Sequence, residues 1–368
     1  MSTRTANRQG AKTPRSSLRL GALAVVLLGM LDVSDGRAQY QQPWNGAPIP
    51  AMAPRPVMTR AVVSVALTVS DLDRSVGFYT GLLGFQVAGE RELARSATEA
   101  LTGVGGTRLR QVVLQLGEER LVLQQFLDRP GRAAPRDMHS NDGWFQHVAI
   151  IVRNMDSAYA ILAMARVEHV SPAPQTLPAT IPAAAGIRAF YFRDPDGHPL
   201  EILSFPPDKG LAKWHGTHGS QFLGIDHTAI VIGSTELSLA FYHQLLGIMP
   251  RGESTNVGMA QERLNNVPGV RLHITGLRAD LGPGIEFLEY QKPGPGRRYP
   301  ADARPNDLLH WQTTILVDDL AGALESVRRA GLQVVSAVAV PLDPSITGVR
   351  RAAIVRDPDG HAIELVER

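Results

Sequence analysis

The 368-residue chain has the composition of an ordinary globular protein, 44% hydrophobic and 20% charged, and is long enough for two domains with their own cores. It contains no cysteine, which excludes disulfides and thiolate metal sites. The formal net charge of +2 comes from a basic leader, so the rest of the chain is slightly acidic and no basic patch argues for nucleic acid.

Six basic residues lie in that leader: Arg4, Arg8, Lys12, Arg15, Arg19 and Arg37. Five of them precede an apolar run from Leu20 to Leu31, too short to cross a hydrocarbon core of about 30 Å. Gly36, Arg37 and Ala38 supply a small–x–small cleavage pattern. The expectation is a secretory signal over 1–38 and a periplasmic or secreted mature protein. No later apolar run is long enough for a membrane span. Residues 39–60, with five prolines, read as an extended linker.

Four similar units follow. The first opens on a β-rich stretch from Val62 to Val69; Ser70 and Asp71 then cap a helix that carries Val76, Tyr79 and Leu83 and stops at Gly84. Strand patterns follow near 85–89, 109–116 and 120–126. The second unit opens on the strand Phe145–Val152. The third repeats the first: a strand from Gly224 to Ile232, a cap at Ser234, and a helix with Leu239, Tyr242 and Leu246 that ends at Gly247. The fourth opens on Leu309–Val317. Units two and four end in one repeated turn: residues 193–201 and 356–364 both read Arg-Asp-Pro-Asp-Gly-His and close on a glutamate, Glu201 or Glu364. The prolines and glycines of 205–222 mark an inter-domain linker.

A unit of strand, helix and three strands cannot bury both faces of its small sheet. Pairing units gives curved sheets with helices outside. The fold class expected is α+β: four βαβββ modules forming two cupped mixed sheets. The first domain spans 61–204 and the second 223–368.

The helix endings Phe78–Gly84 and Phe241–Gly247, with the repeated turn and its glutamate, resemble the vicinal oxygen chelate superfamily of glyoxalases, bleomycin-resistance proteins and extradiol dioxygenases. The resemblance implies inward-facing metal ligands on the first and last strands of paired modules. Within the second domain it implies a divalent metal site of His227, Glu286, Gln312 and Glu364, with Glu286 or Glu364 moving a proton. Aligning Asp319 and Leu320 with Asn154 and Met155 favours Gln312 opposite His147; a constant chain offset selects His310 instead. The first set suits zinc, nickel, cobalt or manganese. His227, His310 and Glu364 would form the facial triad of an iron dioxygenase. In the first domain only His147 and Glu201 remain, a weak second site, because Ser64 stands where the third unit has His227 and Val122, or Gln125, stands where it has Glu286. Two functions are thus expected of a monomer or homodimer: an exported metal-dependent lyase, isomerase or ring-cleaving dioxygenase on a small substrate with vicinal oxygens, or a non-catalytic sequestering protein. His198 and His361 are expected to shape turns.

Overall fold

The computed structural model describes residues 59–216 and 219–368. The expected signal and the expected linker up to residue 58 lie outside the described residues.

Module one comprises β1 (Thr59–Thr68), α1 (Leu72–Leu83), β2 (Gln86–Leu93), α2 (Arg95–Thr102), β3 (Leu109–Leu116) and β4 (Glu119–Phe126). Module two comprises β5 (Gln146–Val152), α3 (Met155–Met164), the two-residue β6 (Glu168–His169) and β7 (Gln175–Thr176), β8 (Arg188–Arg193) and β9 (Pro199–Ser204). In module three, β10 (Phe222–Val231) leads into α4 (Thr235–Leu239), which continues as a wider π turn over Ala240–Leu245; β11 (Met249–Val257), α5 (Met259–Asn265), β12 (Arg271–Arg278) and β13 (Gly284–Lys292) follow. Module four holds β14 (Trp311–Val317), α6 (Leu320–Arg329), β15 (Val340–Pro341), α7 (Pro344–Thr347), β16 (Arg351–Arg356) and β17 (Ala362–Glu367). The expected caps form: Asp71 accepts from the Arg74 N–H and Ser234 from that of Leu237, while Gly84 and Gly247 take φ of 73° and 75°, which only glycine adopts freely.

Two curled mixed sheets result, but the modules pair differently from the expectation. Eight strands run in the order β15-β16-β17-β14-β1-β4-β3-β2, joining module four to module one. The other sheet runs β11-β12-β13-β10-β5-β9-β8-β6, joining module three to module two. Sequence neighbours instead meet through their helices. One core packs Tyr79 and Leu83 of module one with Leu162, Phe190 and Phe192 of module two; another packs Phe241 and Phe287 of module three with Leu324 and Leu365 of module four. Each such side chain, fully buried, contributes about 1.5–3 kcal/mol. Consecutive modules therefore share helix-side cores, and each cup is built from modules of different halves. The linker between halves carries a short 3₁₀ turn, Ala212–His215, whose Trp214 is buried.

The repeated turns hold this arrangement. Asp194 accepts from the Tyr79 hydroxyl at 3.1 Å and Asp357 from that of Tyr242 at 3.0 Å. His198 and His361 close their own turns on these aspartates at 2.8 and 2.9 Å, and their other ring nitrogens reach the backbone carbonyls of Leu308 and Gly143. Both histidines shape turns as expected and also tie the sheets together. Two symmetry-related pairs add to this: Arg132 on Asp307 and Arg297 on Asp142, each at 2.7 Å.

The two clasps differ in charge. Asp196 is met by the Arg74 guanidinium at 2.5 Å, whereas its counterpart Asp359 accepts from the Gly233 N–H and the Ser238 hydroxyl, because Leu237 occupies the position of Arg74. Burial and the Asp357 charge raise the Asp359 carboxyl to about 7, with His361 pulling the other way. A carboxyl raised in the folded state contributes stability at low pH that is lost as pH climbs from about 4 toward 7. Asp359→Asn should therefore melt higher than the parent at pH 8 and lose that advantage as the pH is lowered to 4. Thermal melts of both proteins across that range check it.

Candidate active site

Sheet register brings four side chains together at the floor of one cup. Strands β5 and β10 are antiparallel neighbours at the centre of the nine-stranded sheet, with His147 opposite Ala229 and Ala149 opposite His227. Parallel β9 sets Glu201 beside Ala149, and parallel β13 sets Glu286 beside Ala229. Side chains alternate across a strand, so all four face the concave side. His147 Nε2 lies 3.2 Å from Glu201 Oε2, and His227 Nε2 lies 3.7 Å from that oxygen and 3.3 Å from Glu286 Oε2. His147, Glu201 and His227 are buried, and their ligating atoms all fall within 4.8 Å of one another.

This corrects the expected ligand set. His227 and Glu286 do stand together, but their companions are His147 and Glu201, the pair read as a weak second site. Gln312 and Glu364 lie in the eight-stranded sheet, in the other cup. There Gln312 pairs with Ala66, Ser64 and Glu364 both pair with Thr314, and Val122 pairs with Ala66. This register matches Gln312 to His147, Ser64 to His227, Val122 to Glu286 and Glu364 to Glu201. The alignment that favoured Gln312 over His310 thus has the right register, in a cup without histidine ligands. His310 is fully buried and bonds Gln312 at 3.1 Å; burial and Arg356 lower it to about 3, so it stays neutral.

The donor set fits a divalent cation. Both ring nitrogens of buried His147 lack a hydrogen-bond partner, although Glu201 is within ion-pair distance. Two carboxylates would balance the ion's charge and two imidazoles complete a mixed nitrogen–oxygen set. Neighbouring ligands of an octahedral ion held at about 2.0–2.2 Å stand about 3 Å apart, close to the spacings found here. The field also favours positive charge: burial disfavours it on His227, yet Glu286, Asp226 and Glu201 raise that imidazole to about 9.

Above these residues opens a cavity of about 440 Å³. Leu177, Ile187 and Leu203 of module two and Phe205 of the linker form an apolar wall; Arg251, Ser254 and Asn256 form a polar wall from module three. Tyr191, opposite Glu201 in the β8–β9 register, also lines it, with its ring 4.7 Å from that of His147. Burial and the nearby Glu201, Tyr290 and Glu286 push its phenol well above 10, so it remains a donor. Tyr191 escaped the sequence reading, although it sits ten residues before Glu201 on the strand feeding the repeated turn; module four has Ile354 in the matching register, opposite Glu364.

The second cup is filled by its own chain. Ile346 of α7 packs on Ala66, Val113 and Val122. Arg91 reaches into this polar interior, bonding Gln111, which donates to Gln124. Burial lowers the Arg91 guanidinium against the pull of Glu364; one Glu364 oxygen accepts from Thr314 and the other has no hydrogen-bond partner.

A model of the Glyoxalase/Bleomycin resistance protein/Dioxygenase superfamily matches residues 61–202 and 224–365. The chain belongs to that superfamily. It is 32% identical over 154 residues to a 2-epi-5-epi-valiolone epimerase from Actinomyces sp, a stretch covering 40% of this chain and 80% of the epimerase. Glyoxalase I from Zea mays superposes with a TM-score of 0.56 at 17% identity, over 83% of this chain and 92% of that one. A putative dioxygenase from Bacillus subtilis gives 0.51 at 14%, over 84% and 86%. These two likenesses concern the fold.

The unequal cups make a paired prediction. A Cβ on Gly89 would stand 2.5 Å from the Ile346 Cγ2, whereas one on Gly252, the matching residue of the open cup, meets nothing within 4 Å. Gly89→Ala should cost about 1–3 kcal/mol and Gly252→Ala less than about 0.5 kcal/mol, as read by urea denaturation.

Proposed function

We propose that this protein is a divalent-metal-dependent epimerase or isomerase acting on a small molecule with two adjacent oxygens. The observation that carries the reading is the convergence of His147, Glu201, His227 and Glu286 from four strands at the floor of an open, largely apolar cup. These four residues would hold the ion. Bound there, it would act as a Lewis acid and lower the cost of negative charge on a substrate oxygen.

The protein's own groups do the rest. Glu286, about a third exposed, faces the cavity and is placed to take a proton from carbon and return it. The Tyr191 hydroxyl lines the cavity beside Glu201 and would donate a hydrogen bond to a bound substrate oxygen. Leu203, Phe205 and Leu288 exclude water from the reacting carbon. Four protein ligands would leave room on the ion for a chelating substrate, whereas ring cleavage with dioxygen would need room for dioxygen as well. The similarity to an enzyme named as an epimerase supports proton transfer as well. The basic, apolar and small-residue pattern of the leader adds export to the proposal. A sequestering protein is the second reading, favoured by the apolar wall; it would bind ligand without turnover.

Elemental analysis tests the site first. The purified protein should hold one equivalent of divalent metal per chain. His147→Ala, Glu201→Ala and His227→Ala should lose it, while Gln312→Ala and Glu364→Ala should keep it. Loss in the last two alone would refute the assignment. With 2-epi-5-epi-valiolone in heavy water, the metal-loaded protein should exchange a carbon-bound proton, and Glu286→Gln should slow this about 10²–10⁴-fold while retaining metal. Binding without exchange selects the sequestering protein.

A further inference from the structure

Asp226 and His227 are consecutive in β10, and consecutive residues of a regular strand point to opposite faces. Here they touch: Asp226 Oδ2 lies 3.0 Å from His227 Nδ1. The register explains how. Ile225 pairs with Ile150 and His227 with Ala149, so Asp226 is an extra residue with no partner in β5. Such a β-bulge re-aims side chains and brings these two onto one side.

We propose that Asp226 is the positioning residue of this site: it fixes His227 so that Nδ1 donates its proton to the carboxylate and Nε2 faces Glu201 and Glu286. The inference rests on the metal-site reading above. A histidine ligand must present one defined nitrogen, and a carboxylate on the other settles which. Asp226 is itself held fast. Arg278 Nη2 donates to both its oxygens at 2.8 and 2.9 Å, and the Trp214 indole N–H donates to Oδ1 at 3.0 Å. With every partner a donor, the carboxylate has no competing use and no freedom to swing away. Trp214 comes from the linker between the two halves, so the linker braces this carboxylate.

The eight-stranded sheet supplies an internal comparison. It carries the same bulge, with Val62 opposite Ile315 and Ser64 opposite Thr314, leaving Val63 as the extra residue. Bulge and register are thus common to both cups. The Asp–His couple occurs where the other three candidate ligands converge, and the filled cup has Val and Ser in its place.

The test is calorimetric titration of the metal-stripped protein with zinc. Asp226→Leu should weaken zinc affinity about 10–100-fold with the stoichiometry still near one. Asp226→Asn, which keeps an acceptor for the Nδ1 proton, should recover part of that loss. Leu83→Ala, a core truncation in module one, should lower the melting temperature without moving zinc affinity. Undiminished affinity in Asp226→Leu would overturn the proposal, and so would an equal fall in Leu83→Ala, which would mean that general loosening is responsible. If the parent protein takes up no zinc, the metal-site reading fails and this inference with it; zinc uptake indifferent to Asp226 removes the inference alone.

Discussion

The antiparallel pairing of β5 with β10 is the constraint on which the site depends. It places His147 and His227 on facing positions of two central strands, each across from an alanine that leaves room for the other's imidazole. The parallel neighbours β9 and β13 then have one register that puts a glutamate beside each histidine. A slip of one residue would turn every one of these side chains to the helix side. The site is therefore as secure as the sheet, and the sheet is anchored by the fully buried Val148, Ile150 and Ile230 on its opposite face.

The repeated turn serves the same end from outside the cups. Its aspartates reach across to the helices of modules one and three, and its histidines reach across to loops of the other sheet. This clasps consecutive modules along their helix sides and frees their sheets to pair with modules of the other half. A motif that ends in a candidate ligand in both halves is chiefly a device of assembly, and only Glu201 among its two glutamates faces histidines.

The two cups share one scaffold and differ in what fills them. The scaffold is retained on both sides, down to the bulge in the first strand. In one cup the loop before β8 stands back and leaves a cavity; in the other the corresponding loop drops Ile346 onto Gly89, and Arg91 brings a cation of its own toward Glu364. Filling a cup with a side chain and an internal cation removes the need for a ligand there, while the buried charges still balance in part.

The sequence by itself determined the module pattern, the helix caps, the glycine stops, the inward faces of the strands and the four residues that converge as candidate ligands. All of these follow from local chemistry: periodicity, capping and the left-handed backbone that Gly84 and Gly247 adopt. Only the tertiary structure decided which modules share a sheet. Strand pairing between units some eighty residues apart or more is set by how the helix-side cores close, a nonlocal balance that no spacing in the chain records. For that reason His147 and Glu201 read as remnants and Gln312 and Glu364 as ligands, when the sheets join them the other way. The partnership of Asp226 with His227 was hidden for a related reason, since a bulge is a relation between two strands and leaves no mark in either one alone.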